Sequence, residues 1–221
     1  MIVKICGLKQ VNDLRMALEL GANFVGMIMG VPESPRNNSI GEAEKLIEAS
    51  DGKEAKRAIL FRSSPLNEVK AVLKALRPEV VHLCGSEDSA YRASLKESFP
   101  EIVQWQSVGV PVDHPNNLDW KDRTRSLFDE PHVEGVVLDA AKGGKTGGVG
   151  KAFPLEMIRS ELGKDCERLI LAGGLNPENI EERVSFLNPA GVDVSSGVEI
   201  RPGEKDRGQM ELFFKKLRGA L

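Results

Sequence analysis

The sequence predicts an α/β protein built as a single (β/α)8 TIM barrel over residues 1–221. Three observations lead there. Short continuous apolar runs alternate with longer amphipathic ones from end to end, and there are eight such pairs, about one every 27 residues. The residues that follow the apolar runs are mostly small, polar or ionisable. Apolar strands covered by helices imply parallel pairing, because crossover helices bury both faces of the sheet. Eight pairs suit a compact version of a fold that usually takes about 250 residues. An open doubly wound sheet is the competing arrangement, and the motifs decide between them.

Taken in order, Ile2–Cys6 reads as a strand, and Val11, Leu14, Ala17 and Leu18 then recur at helical spacing. Phe24–Met29 precedes a helix marked by Ile40, Ala43, Leu46 and Ile47, and Ala58–Phe61 precedes Leu66, Val69, Val72, Leu73 and Leu76. Val80–Leu83 is followed by a weaker helix around Ala90–Phe99. Ile102–Trp105 and the segment Asn116–Phe128 form the least clear pair. Val136–Leu138 leads into a glycine-rich loop and then Leu155, Ile158 and Leu162. Leu169–Ala172 precedes Ile180, Val184 and Leu187; Val192–Val194 precedes Met210, Phe213, Phe214 and Leu217. No linker, charge block or repeat interrupts the series.

Composition excludes several classes. Thirty Lys plus Arg against 33 Asp plus Glu leave a net charge of −3, which is no surface for nucleic acid. No run approaches the roughly 20 apolar residues that cross a bilayer. Met1–Cys6 enters a strand without a signal peptide, so a cytoplasmic protein with no membrane partner is expected. Cysteines at 6, 84 and 166 make neither a disulfide framework nor a zinc site, and His114 and His132 have no metal-ligand spacing. Cys166, before the seventh strand, reads as structural, and Phe213 and Phe214 suit either a core or an interface, so a monomer and a homodimer both remain open.

In a barrel, chemistry sits on the loops after the strands. Leu171-Ala172-Gly173-Gly174-Leu175-Asn176-Pro177 ends the seventh strand in two glycines, with Asn176 placed to cap a helix and Pro177 at its first position. Ser195-Ser196-Gly197 ends the eighth strand. Glycines and hydroxyls on these two loops, beside a helix N-terminus, read as a phosphate site. Each motif alone also reads as a tight turn; together they predict a small phosphorylated ligand.

Cys6 ends the first strand and Asp139 the sixth. A cysteine base needs its thiolate, from a thiol pKa of about 8.5, and an aspartic acid needs its pKa raised well above about 3.9. The glycine-rich stretch Gly143–Gly150 is placed to close over and desolvate the site. One group that gives a proton and one that takes it is what a sugar isomerisation requires. On spacing alone, a small buried cysteine and a strand-end turn explain the same two residues.

Lys4-Ile5-Cys6-Gly7-Leu8, Ser34-Pro35-Arg36, Leu138-Asp139 with Gly147-Gly148-Val149-Gly150-Lys151, Leu171–Asn179 and Gly191–Glu199 together resemble the phosphoribosylanthranilate isomerase family of tryptophan biosynthesis. The order and spacing cover nearly the whole chain, and the first and last motifs are specific to that family. The resemblance implies an Amadori rearrangement of N-(5′-phosphoribosyl)anthranilate, with no metal and no organic cofactor. It implies that Asp139 is the general acid that opens the ribose ring and that Cys6 is the base that takes the C2 proton. By the same resemblance Arg36 faces the anthranilate carboxylate, Asp193 lies near the bridging amine, and Gly173, Gly174, Ser195, Ser196 and Gly197 cradle the phosphate.

The chain departs from the family pattern in the aromatic half of the pocket. His82-Leu83-Cys84-Gly85 stands where Gln-Leu-His-Gly is usual, and His82, pointing away from Leu83, is not expected to replace the missing ring. Gly30–Glu33 replaces an aromatic, lysine-bearing loop, Phe61–Pro65 replaces a valine–asparagine segment, and Ala152-Phe153-Pro154-Leu155 replaces Thr-Phe-Asp-Trp. A related isomerase of another phosphorylated aminoaldose and a phosphate-binding barrel without catalysis are the other readings; Cys6, Asp139 and Arg36 together count against the second. A Schiff-base aldolase wants a lysine at a strand end, and no inferred strand supplies one, Lys142 and Lys145 being read as solvated loop residues.

Overall fold

A computed structural model describes residues 1–112, 119–142, 145–146 and 153–220. Eight parallel strands form the barrel wall: β1 (Ile2–Ile5), β2 (Phe24–Ile28), β3 (Lys56–Phe61), β4 (Val80–Leu83), β5 (Val103–Pro111), β6 (Gly135–Lys142), β7 (Leu169–Leu171) and β8 (Gly191–Val194). Each pairs with the next, and β1 pairs with β8 through Ile2↔Gly191 and Lys4↔Asp193, which closes the sheet. The barrel, and not the open sheet, is the architecture.

Helices alternate with the strands: α1 (Val11–Leu20), α2 (Ile40–Ser50), α3 (Leu66–Leu76), α4 (Ser89–Ser98), α5 (Asp119–Phe128), α6 (Leu155–Leu162), α7 (Ile180–Leu187) and α8 (Arg207–Gly219). Local chemistry sets several of their starts. Ser39 and Glu42 form a reciprocal capping box on α2, Asp88 accepts the Tyr91 N–H on α4, and Asp206 accepts the Gln209 N–H on α8. Their apolar faces bury Leu14, Leu46, Val69, Leu95, Ile158 and Phe213 against the outward side chains of the strands. Both Phe213 and Phe214 are buried there, in ring-to-ring contact. Cys166 is buried as well, its thiol directed at the Ile158 carbonyl.

Inside the wall a second cluster gathers Ala58, Val80, Trp105, Val137, Ile170 and Ala172. Above it lie Cys6, Leu60 and Cys84. Strand alternation builds both, since every second residue points inward. The apolar floor occupies the early inward positions, and Cys6, His82, Cys84 and Asp139 follow later on their strands, toward the mouth.

Several boundaries differ from the sequence reading. β5 and β6 run several residues beyond the short runs Ile102–Trp105 and Val136–Leu138, because they pair continuously from Trp105↔Gly135 to Pro111↔Ala141. The regular part of α7 begins at Ile180, three residues after Pro177. Asn176 does cap, but it caps the preceding turn, accepting the N–H groups of Glu178 and Asn179. Lys142 and Lys145 are not loop residues: they face each other in a short antiparallel pair, and β6 therefore does end in a lysine. His114, Gly143–Gly144 and Gly147–Ala152 lie outside the described residues. Among the described residues no helix is long and apolar enough to cross a membrane.

Candidate active site

A cavity of about 240 Å³ opens at the C-terminal ends of the strands and is lined by Cys6, Arg36, Asp139, Gly173, Gly174, Asp193, Ser195 and Ser196, among others. These are eight of the nine residues singled out from the sequence. Gly197, the ninth, lies just behind: a Cβ there would meet the Leu175 carbonyl at 1.8 Å, so the loops after β7 and β8 touch at this glycine. Gly173, at φ +77, similarly lets the loop lie against β6, where a Cβ would fall 2.3 Å from the Ala140 nitrogen and 3.0 Å from Asp139 Oδ1. A second hollow of about 600 Å³ lies between α3 and α4 at the opposite end, and none of the predicted residues lines it.

Burial shifts the pKa values of both candidate acid–base groups upward. Burial, reinforced by the charge of Asp193, raises the Asp139 carboxyl to a pKa of about 7. Burial also lifts the Cys6 thiol above its ordinary range, with Lys4 the largest influence pulling it back. Two buried oxygens in the cavity wall, Asp193 Oδ1 and Ser195 Oγ, have no hydrogen-bond partner among the described residues. A buried acceptor or hydroxyl left unpaired is costly, so these atoms suit a site that a polar ligand completes.

Arg36 is differently engaged from what the sequence suggests. Its fork grips Glu199, with Nε to Oε1 at 2.9 Å and Nη2 to Oε2 at 2.5 Å. Lys205 binds the same carboxylate at 2.8 Å and also donates to the Ser195 carbonyl at 3.0 Å. Burial opposes ionisation of Glu199, but Arg36 and Lys205 outweigh it and lower its pKa. Two cations thus share one carboxylate beside the loop after β8.

Lys4, which the sequence does not single out, belongs to the site. It points inward from β1, fully buried, and donates to Asp193 Oδ2 at 2.6 Å, His82 Nδ1 at 3.1 Å and Cys6 Sγ at 3.2 Å. Its pKa is pulled down by burial yet raised overall by Asp193 and Cys6, so it stays charged and is no Schiff-base nucleophile.

His82 corrects another expectation. It does face away from Leu83, but that is the inward face it shares with Cys84, and both line the cavity. Burial, and then the charge of Lys4, keeps its imidazole neutral. Because Lys4 can only donate, Nδ1 accepts and the ring proton sits on Nε2, which donates to Ser107 Oγ at 2.8 Å. The Ser107 hydroxyl is then free to donate to Cys84 Sγ at 3.1 Å. Cys84 itself is a weak acid here, its pKa raised by burial. It occupies the usual histidine's place, and Arg62, from the altered segment after β3, also lines the cavity.

A family model described as N-(5'phosphoribosyl)anthranilate (PRA) isomerase matches residues 3–216. The chain belongs to that family. An N-(5'-phosphoribosyl)anthranilate isomerase of Xanthomonas euvesicatoria pv. vesicatoria is 34% identical over 218 residues, covering 99% of this chain and 93% of the relative. The phosphoribosyl anthranilate isomerase of Thermus thermophilus superposes with a TM-score of 0.80 at 30% identity, over 99% of both chains. A phosphoribosyl anthranilate isomerase solved in complex with reduced 1-(o-carboxyphenylamino)-1-deoxyribulose 5-phosphate gives 0.78 at 28% identity, over 99% of this chain and 100% of that one. Family membership accounts for the barrel and for the order of the motifs along it. Lys4 and Glu199 stood within the motifs that carried the resemblance, but Lys205 and Ser107 had no local signal; only the fold brings those two to the site.

Proposed function

We propose that this chain catalyses the Amadori rearrangement of N-(5′-phosphoribosyl)anthranilate to 1-(2-carboxyphenylamino)-1-deoxyribulose 5-phosphate by general acid–base catalysis. The observation that carries this reading is the convergence of Cys6 and a carboxyl with a pKa of about 7, Asp139, on one cavity with the loops after β7 and β8. Family membership supplies the substrate.

The substrate's phosphate lies against Gly173, Gly174, Ser195, Ser196 and Gly197, where Ser195 Oγ offers a hydroxyl that no described residue engages. Asp139, whose pKa of about 7 leaves it partly protonated at neutral pH, gives its proton to the ribose ring oxygen, and the C1–O bond breaks to an iminium. The cationic nitrogen acidifies C2–H, and the Cys6 thiolate takes that proton, leaving an enolamine that tautomerises to the ketone. Asp193 Oδ1 is the acceptor facing the bridging amine. Arg36 offers the anthranilate carboxylate the part of its guanidinium that Glu199 leaves. The ligand is a small phosphorylated aminosugar and no macromolecule enters the reaction.

A second reading keeps the chemistry and changes the aromatic group. Cys84 and Arg62 in the cavity wall favour it, because both stand where the family pattern has other residues. One assay separates the two. Freshly generated N-(5′-phosphoribosyl)anthranilate is mixed with the purified chain and anthranilate fluorescence is followed. Turnover supports the first reading; no turnover by a folded chain that still binds a ribulose 5-phosphate analogue supports the second.

A further inference from the structure

An ammonium group has three protons and no lone pair. Those of Lys4 have three acceptors, the Asp193 carboxylate, the His82 ring nitrogen and the Cys6 sulfur. With the side chain fully buried, water plays no part in satisfying them. Taking such a charge out of water costs several kcal/mol unless it is well paired. Asp193 answers that requirement by itself, being the cross-strand neighbour of Lys4 in register. The sulfur is a further partner, and sulfur accepts weakly as a thiol but strongly as a thiolate. The neighbouring strand β2 is cut back beside this contact: a Cβ at Gly26 would lie 2.8 Å from Lys4 Cε and 2.9 Å from Cys6 Sγ.

We propose that Lys4 is a positioning residue of the isomerisation: its ammonium, fixed by Asp193 and His82, directs a proton at Cys6 Sγ and serves as counter-ion to the thiolate that removes the C2 proton. The inference rests on Cys6 being the base. Lys4 keeps all three protons throughout, and the thiol proton leaves to solvent through the cavity mouth.

The other groups around Cys6 do not replace Lys4. Asp193, from β8, disfavours the thiolate. His82, from β4, is neutral, and Cys84, beside it, holds its proton. Arg36 and Lys205 are shared with the Glu199 carboxylate. Asp139, from β6, faces the same cavity and adds negative charge once ionised. Lys4 is the cation bonded to the sulfur itself.

The test is the pH dependence of iodoacetamide alkylation at Cys6 in the full chain, read from the mass of the Cys6 peptide. Lys4→Gln is expected to raise the alkylation midpoint by at least one unit, which slows reaction at pH 8 by about tenfold or more. Lys4→Arg should restore the rate to within about threefold of wild type, since it keeps the charge. In turnover, kcat of Lys4→Gln should fall with KM nearly unchanged, and only the alkaline limb of the pH profile should move upward. An unmoved midpoint in Lys4→Gln overturns the assignment, as does an equal loss of kcat at every pH with no rescue by arginine. Lys4→Met, which keeps the stem, is the second neutral variant if glutamine prevents folding. If neither neutral variant folds while Lys4→Arg does, the charge serves the fold and the assignment is wrong. Alkylation does not depend on turnover, so a failed isomerase reading leaves the midpoint shift standing and distinguishable.

Discussion

Arg36 and Glu199, 163 residues apart in sequence, form a bidentate ion pair between the loop after β2 and the segment after β8. Lys205 continues the contact from Glu199 to the Ser195 carbonyl. One carboxylate therefore ties the arginine proposed for the substrate's carboxylate to the loop proposed for its phosphate. Glu199→Gln keeps the shape and removes the charge. It should raise KM about tenfold, the cost of weakening a hydrogen bond between charged groups, while kcat changes less. Steady-state kinetics at saturating and limiting substrate check this, and an unchanged KM would show that the pair does not orient Arg36.

Gly26 predicts a steric effect inside the barrel. The Cβ of Gly26→Ala would press on both Lys4 and Cys6, so kcat should fall more than tenfold and stability by about 1–3 kcal/mol, as overpacking usually costs. Gly41, on α2, has nothing within 4 Å of the same added atom. Gly41→Ala should raise stability by roughly 0.5–1 kcal/mol and leave kcat alone. Denaturant unfolding and turnover of the two variants make the comparison.

Asp139 should be costly to the fold when charged. Its pKa is raised from 3.8 to about 7, so the folded state holds a proton that the unfolded state has already lost between those values. Stability from this group is present below about pH 4 and is lost as pH rises to about 7. Asp139→Asn should therefore stabilise the chain at pH 8 by on the order of 2 kcal/mol, after discounting about half for solvent in the cavity, and have little effect at pH 4. The same variant should lose turnover by at least about a hundredfold. A variant that turns over normally removes Asp139 from the mechanism.

The pH profile follows from the two proposed roles. Asp139 must be protonated, with a pKa of about 7, and Cys6 ionised, with a pKa raised above its ordinary range. The acid thus ionises before the base, and only a minor fraction of the enzyme holds the reactive combination. Between the two pKa values that fraction is constant, because loss of acid offsets gain of base. The profile of kcat/KM should rise to a shoulder near pH 7, stay flat, and fall above the pKa of Cys6. A maximum well below pH 7 would mean that the assigned protonation states are wrong.

The inward face of the barrel could be read from parity once the strands were placed. Ile2, Lys4 and Cys6 alternate, as do Val80, His82 and Cys84. Alternation puts Lys4 on the same inward face as Cys6, and His82 on the same face as Cys84. Strand extents were less legible, because β5 and β6 continue through small and polar residues that only their mutual pairing makes extended. Asn176 looked like a helix cap because an Asx turn and a helix start use the same side-chain bond. The Glu199–Lys205 contact had no sequence signal beyond ordinary charge, since a buried ion pair and a solvated one are written with the same letters.

The proposed mechanism requires Cys6 to transfer a proton and not merely to bind. The most direct measurement takes kcat of Cys6→Ala on N-(5′-phosphoribosyl)anthranilate together with its affinity for reduced 1-(o-carboxyphenylamino)-1-deoxyribulose 5-phosphate. A loss of kcat of about a hundredfold to ten-thousandfold is expected, the range for removal of a general base, with affinity within about threefold of wild type. Retained turnover, or equal loss of turnover and affinity, would contradict it.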